Sequence, residues 1–312
     1  MCKESEVSIV IVCMNKLSNL DRCLPSIKKY TSISYKIYVV AYLFSDENLR
    51  VLREKYPEVI VIVSNEIRGF SENNNLVLKN INTPFTFVLN DDTEFTMPVL
   101  DNLVTSLSRV KDATVMSPVL YRGDGSVQFW GRRKYTFGKF LMNQLGLRFN
   151  TKSKYEYGTG IFKSYNVSGA AFLIYTDIFR KMGFFDEKYF FCPEDIALST
   201  KMNKNGYYCY VDSSIKIMHY EGVSSKKTNL FYATTSAAYL GDSYYFGTTK
   251  WRMMTIKSLW KSKIFLFSVM NSLRNSNHRS DYLYIYERVL DSYKRGISTK
   301  QLFIEEYNKV TK

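Results

Sequence analysis

Apolar, β-branched runs alternate with amphipathic stretches along the first third of the chain. Val7-Ser8-Ile9-Val10-Ile11-Val12 is nearly continuous in apolar residues, the pattern of a strand buried on both faces. Residues 15–19 break it, and Leu20, Leu24 and Ile27 follow at helical spacing as far as Tyr30. A second strand is predicted at residues 35–40. Ser45-Asp46-Glu47-Asn48 then reads as the start of a helix over residues 49–56. Residues 59–63 predict a third strand, and Arg68-Gly69-Phe70 leads into a helix carrying Asn73-Asn74-Asn75. A fourth apolar run, Pro84-Phe85-Thr86-Phe87-Val88-Leu89, stops abruptly at Asn90-Asp91-Asp92-Thr93-Glu94.

Strand and helix alternating in this way predict βαβ units and a parallel sheet, a nucleotide-binding architecture by shape. Neither a GxGxxG nor a GxxxxGK[ST] loop is present, so a dinucleotide site and a P-loop are both unsupported. Residues 115–165 read as irregular, with a turn at Gly123-Asp124-Gly125 and a basic, aromatic loop, Trp130-Gly131-Arg132-Arg133-Lys134-Tyr135, suited to covering a substrate. Order returns at residues 166–174. A helix at residues 176–182 ends on Gly183, and Phe190-Phe191-Cys192-Pro193-Glu194-Asp195 opens another, which closes on Gly206. Beyond Lys226-Lys227 the alternation gives way to helices rich in Tyr, Trp, Lys and Arg.

Composition narrows the partners. The 312 residues carry 43 Lys and Arg against 29 Asp and Glu, a formal charge of +14 that favours anionic partners. A nucleic-acid-binding protein is one such class. The basic residues are spread along the chain, however, and no nucleic-acid motif is present, so no nucleic-acid partner is expected. Five scattered cysteines without a CxxC pair fit reduced thiols better than zinc, and no secretory signal is visible. A cytoplasmic protein, peripheral at the inner face of the cell membrane, is the expectation. Trp251-Arg252-Met253-Met254 through Trp260-Lys261-Ser262-Lys263 to Met270 suits an interfacial helix on an anionic membrane surface. It equally suits an amphipathic helix packed on its own domain.

Two acidic pairs carry candidate chemistry. Asp91-Asp92 stands where a parallel strand leaves its sheet, where open α/β folds bind ligands. Oxygen donors there suit a hard divalent cation beside a phosphate; an acidic turn that ends a strand has the same composition. Glu194-Asp195 after a proline suits a general base, or an ordinary acidic first helical turn. His219 closes an apolar run and suits a ligand or a satisfied structural residue.

In their order these segments resemble the GT-A glycosyltransferases of the family 2 type, bacterial rhamnosyltransferase-like members above all, over about the first 225 residues. The matching segments are Cys13-Met14-Asn15-Lys16 after the first strand, Gly69-Phe70 with Asn74-Asn75, Leu89-Asn90-Asp91-Asp92-Thr93, Pro193-Glu194-Asp195, and His219-Tyr220-Glu221-Gly222-Val223-Ser224. The resemblance implies a Rossmann-like mixed, mainly parallel sheet flanked by helices, with a catalytic domain at 1–228 and a helical C-terminal extension at 229–312. Its nucleotide-binding half spans about 1–115 and its acceptor-binding half about 116–228. It implies an inverting transfer from a UDP- or dTDP-linked sugar to a glycan or polyprenyl-linked glycan acceptor, as in bacterial surface polysaccharide synthesis.

By the same resemblance Asp92 and His219 hold Mg²⁺ or Mn²⁺, and Asp195 is the base with Glu194 orienting the acceptor. Asn90, Asp91, Cys13, Asn15, Asp46, Arg68 and Asn74 then face the nucleotide. Phe190, Phe191 and Pro193 are expected to shield Asp195. Departures from the family pattern fall at Ala41-Tyr42, where an Asp usually meets the base or ribose, and at Ile67, Val77 and Ala197. They touch donor selectivity and leave room for a catalytically degenerate scaffold. A nucleotidyltransferase, which also uses acidic metal ligands on an α/β sheet, fits the order of motifs less well.

Overall fold

The computed structural model describes residues 6–147, 153–220, 229–273 and 281–309. The chain divides into two compact units: Met1–Lys134 with Asn150–Asp186 and Asp195–Glu221, and Tyr135–Phe149 with Glu187–Glu194 and Gly222–Lys312.

The first unit is built on one sheet. Its elements run β1 (Val7–Met14), α1 (Leu17–Tyr30), β2 (Tyr35–Tyr42), α2 (Asp46–Lys55), β3 (Ile60–Ser64), α3 (Phe70–Leu78), β4 (Phe85–Asn90), β5 (Thr93–Phe95), α4 (Val99–Arg109), β6 (Ala113–Tyr121) and β7 (Val127–Phe129). After α5 (Phe137–Gln144), which belongs to the second unit, come β8 (Ile161–Ser164), β9 (Ala171–Tyr175), α6 (Thr176–Lys181), α7 (Glu194–Lys204) and β10 (Tyr208–His219). Strand order is β3-β2-β1-β4-β9-β6-β10-β5, with β7 on β6 and β8 on β10. The N-terminal half is parallel across β3, β2, β1 and β4, and β9 enters antiparallel between β4 and β6. The sheet is therefore mixed and flanked by helices, as the resemblance implies, whereas the alternating pattern alone predicts a parallel sheet.

Every residue of β1 from Val7 to Ile11 is buried, so the unbroken apolar run is matched by a helix layer on each face. On one face Leu20, Leu24 and Ile27 of α1 join Leu100 and Leu103 of α4; on the other Val77 and Leu78 of α3 join Phe179 and Leu198.

The sequence pattern fails at β6. This segment reads as irregular, yet residues 113–120 are all buried in the middle of the sheet. Pro118 obscures it, because a proline in a run argues against a central strand. The ladder to β10 shifts register between Asp212 and Lys216, opposite Pro118 and Val119, and the bulge accommodates the missing donor.

The second unit is helical: α5, α8 (Asn229–Phe246), α9 (Lys250–Leu273), α10 (Asp281–Arg295) and α11 (Thr299–Asn308). Its core joins Phe137, Phe140, Leu240, Phe246, Trp260, Tyr286 and Leu302, and the Trp260 indole N–H donates to Ser243 Oγ at 3.0 Å.

Candidate active site

The acidic step sits where β4 leaves the sheet, and two backbone ladders fix it. Asn90 N–H donates to Ala170 O at 2.9 Å, tying the end of β4 to the loop before β9. Thr93 Oγ1 donates to Asn90 O at 2.8 Å and closes the turn. β5 then pairs antiparallel with β10, setting Thr93 opposite His219, while Tyr220 N–H donates to Asp92 O at 2.9 Å. Two strand ends therefore press Asp92 and His219 together.

The side chains meet accordingly. His219 Nε2 lies 3.0 Å from Asp92 Oδ1 and 3.2 Å from Asn90 Nδ2, and its Nδ1 lies 2.7 Å from Gln128 Oε1. The His219 side chain is 6% exposed and that of Asp92 16%. With the Gln128 carbonyl oxygen facing it, Nδ1 carries a proton, and in neutral imidazole Nε2 is left with a lone pair. Among the described residues Asp92 Oδ1 is buried without a hydrogen-bond donor, and a proton or a metal ion between it and Nε2 would satisfy it. The donor set is one imidazole nitrogen and one carboxylate, with the Asn90 amide nitrogen 3.2 Å from the imidazole. Among the described residues no group of three or more His, Cys, Asp or Glu surrounds it. A small protein donor set suits Mg²⁺, which keeps several waters and takes one or two carboxylates together with substrate phosphates. Asp92 and His219 thus fit a divalent ion that a diphosphate completes.

Asp91 points to a different neighbourhood. Asn19 Nδ2 donates to its Oδ2 at 3.2 Å, and the Cys13 thiol also bonds to it. Burial, reinforced by the charge of Asp92, pushes the Asp91 carboxyl up to about 6, although the bonds from Cys13 and Asn19 pull the other way. Burial and Asp91 together push the Cys13 thiol far above its ordinary range.

The remaining donor-site expectations separate. Asn15 takes a left-handed φ of 49°, and its Oδ1 accepts from Ser45 N at 3.0 Å and Asn48 Nδ2 at 2.9 Å. The loop after β1 is thereby tied to the start of α2, where Asp46 is exposed in the first turn. Arg68 bonds to Ser64 Oγ at 3.2 Å and Glu66 at 2.7 Å. Asn74 is 1% exposed and donates to Phe70 O within its own helix, while Asn75 bridges to Phe185.

Asp195 stands in the first turn of α7 with its side chain 15% exposed. Its Oδ2 accepts from Arg132 Nη1 and from Gly169 N–H, each at 3.3 Å. The residue after Gly169 is Ala170, whose carbonyl accepts from Asn90, so one loop connects Asp195 to the acidic step. Glu194 is buried at 7%. Phe191 is 42% exposed, and Phe190 stacks on Phe303 at 4.1 Å within the helical unit. Gln128, Asn19 and Gly169 escaped the sequence reading, and Arg132 was read only as part of a covering loop. The Trp130-to-Tyr135 loop was the one signal that pointed to it. Glu221 to Ser224, Lys226 and Lys227 lie outside the described residues.

A mixed sheet whose parallel half ends in an acidic step facing a histidine is an α/β architecture of the GT-A type. A family model described as glycosyltransferase like family 2 matches residues 5–233, well over half of the chain. The chain belongs to that family and is a glycosyltransferase. No curated protein matches the sequence. Among solved structures, that of GalNAc-T7 with UDP, GalNAc and Mn²⁺ superposes with a TM-score of 0.56 at 16% identity over 94% of this chain. The chain spans 56% of that one, little more than half its length. The mannosyltransferase PcManGT from Pyrobaculum calidifontis, in complex with GDP-Man and Mn²⁺, gives 0.53 at 13% identity, covering 94% of this chain and 87% of that one. S. aureus TarS 1–349 gives 0.51 at 12% identity, covering 94% and 92%. At these identities the likeness is one of fold.

Proposed function

We propose that the chain is an inverting, metal-dependent transferase that moves a hexosyl or deoxyhexosyl unit from a nucleoside-diphosphate sugar to a glycan or lipid-linked glycan acceptor, in bacterial surface polysaccharide synthesis. The observation that carries the reading is the Asp92–His219 pair, 3.0 Å apart and buried at the end of β4. Asp92 and His219 would hold a divalent cation there, which would supply positive charge for the leaving diphosphate. Gln128 fixes the imidazole from behind, as the outer partners of ligating histidines do. Asp195 takes the proton of the acceptor hydroxyl as its oxygen attacks the anomeric carbon. The bond from that carbon to the diphosphate oxygen breaks, and the electron pair leaves with the diphosphate. A single base acting opposite the leaving group would give inversion. Arg132 and Gly169 N–H hold the Asp195 carboxylate in place, and Asn15 with the start of α2 supports the nucleotide side. A dTDP or a UDP donor suits the resemblance to rhamnosyltransferases.

The same pair favours a second reading. A protonated His219 bonded to Asp92 and Gln128 is a structural clamp, and the chain would then be a catalytically degenerate scaffold. A thermal-shift screen of nucleoside-diphosphate sugars with and without Mn²⁺ separates the two. A donor stabilises the native protein in step with its affinity. Stabilisation by one donor only in the presence of Mn²⁺ is the expected result; silence from every donor sinks the transferase reading.

A further inference from the structure

α9 buries one face and leaves another, equally apolar, uncovered. Ile256, Leu259 and Trp260 face the core of the helical unit, at 0%, 8% and 0% exposure. Trp251, Met254, Phe265, Leu266 and Val269 are instead 57%, 63%, 72%, 54% and 40% exposed. Positions 251, 254, 265 and 269 fall on one stripe at helical spacing, with Ser258, Lys261 and Ser262 between them. Large exposed apolar patches mark interaction surfaces. The end of α5 joins this region: Lys263 Nζ donates to Gln144 Oε1 at 2.8 Å, and Leu145 beside it is 58% exposed.

Charge decides what covers the stripe. From Lys250 to Leu273 the helix has no acidic residue and carries Lys250, Arg252, Lys257, Lys261 and Lys263. Glu305, Glu306 and Asp291 on the neighbouring helices are already engaged by Arg288, Arg295 and Lys309. A second copy of the chain would bring like charges together, and an aqueous partner gives no reason for exposed Phe, Leu and Trp. No helix among the described residues is long and apolar enough to cross a membrane. We infer that α9 lies in the plane of an anionic lipid surface, with Trp251, Phe265 and Leu266 entering the head-group boundary and Lys250 and Lys261 at phosphate level. The inference does not rest on the transfer reaction.

The test is co-sedimentation of the full chain with phosphatidylcholine vesicles, plain or containing about a third phosphatidylglycerol. Binding to the anionic vesicles alone, weakened by salt, is expected. Phe265→Asp with Leu266→Asp loses at least about tenfold, and Lys250→Glu with Lys261→Glu a similar factor, since each basic residue near such a surface contributes about fivefold. Melting temperature checks that both variants remain folded. The native protein's tryptophan emission shifts to the blue on binding, and Trp251→Phe abolishes the shift. Absent binding, equal binding to neutral vesicles, or variants that bind as well as the native chain each overturn the inference. So does a concentration-dependent dimer, seen by light scattering and lost in Phe265→Asp, which would assign the face to a second copy.

Discussion

Two acidic pairs in this chain have the same local signature, adjacent carboxylates after an apolar run, and the fold gives them opposite surroundings. Asp91-Asp92 leaves a parallel strand, and its second carboxylate faces an imidazole lone pair 3.0 Å away. Glu194-Asp195 opens a helix, and its second carboxylate faces a guanidinium and a backbone N–H, each at 3.3 Å. The first arrangement is incomplete without a shared cation, which suits a metal and its diphosphate. The second already has two donors on one oxygen, which suits a carboxyl group oriented for a proton. The element that ends at each pair fixes where the acids stand, and the opposing group decides what they can do.

Exchange of charge at each pair tests that contrast. The largest effect is expected at Asp195→Asn: kcat falls by about 10²–10⁴-fold, the range of a lost general base, with melting temperature and donor-induced stabilisation unchanged. Transfer that survives this change removes Asp195 from the base role. Next is Asp92→Ala, for which activity falls by about a hundredfold and Mn²⁺ no longer adds to the thermal shift given by a donor. A variant that keeps its Mn²⁺ response would place the cation elsewhere. A smaller effect belongs to Gln128→Ala, which leaves both carboxylates untouched and frees the imidazole to turn. Apparent Mn²⁺ affinity drops about tenfold in a titration of activity, the low end for loss of an outer partner of a ligand. An unchanged titration would make Gln128 a structural contact only.

The β1-to-β4 half was legible because β1 and β4 are buried on both faces and the helices beside them on one, so period and burial agree. The capping of α2 by Ser45 followed from local chemistry alone, its Oγ accepting from Asn48 N at 3.2 Å. What stayed hidden depends on distant pairing. β6 contains Pro118, tolerated only because β10, some ninety residues later, bulges beside it. The partners of both acidic pairs are equally remote in sequence. Gln128 meets His219 across 91 residues and Arg132 meets Asp195 across 63, and no local pattern announces either contact. Asn74, expected at the nucleotide, is turned onto its own helix, and Asn75 serves a bridge to Phe185.

The finest test of the contrast concerns Asp91, the carboxylate of the first pair that does not face His219. Burial raises its pKa from 3.8 to about 6. Between those values the folded protein binds the proton that the unfolded chain has released. Stability without metal or donor therefore falls as pH rises from about 4 to about 6 and is level above. Asp91→Asn keeps the shape and the neutral state, so the slope should vanish. The variant should then be more stable than the native protein near pH 7, by about 3 kcal/mol, since each unit of displaced titration is worth about 1.4 kcal/mol. Melting temperatures of both proteins from pH 4 to 8, without added cation, supply the comparison. Curves that converge at the acid end and separate towards neutral pH fit a carboxylate kept desolvated beside Asp92. Curves that run parallel would mean that Asp91 is solvated, and the first pair would lose the environment that distinguishes it from the second.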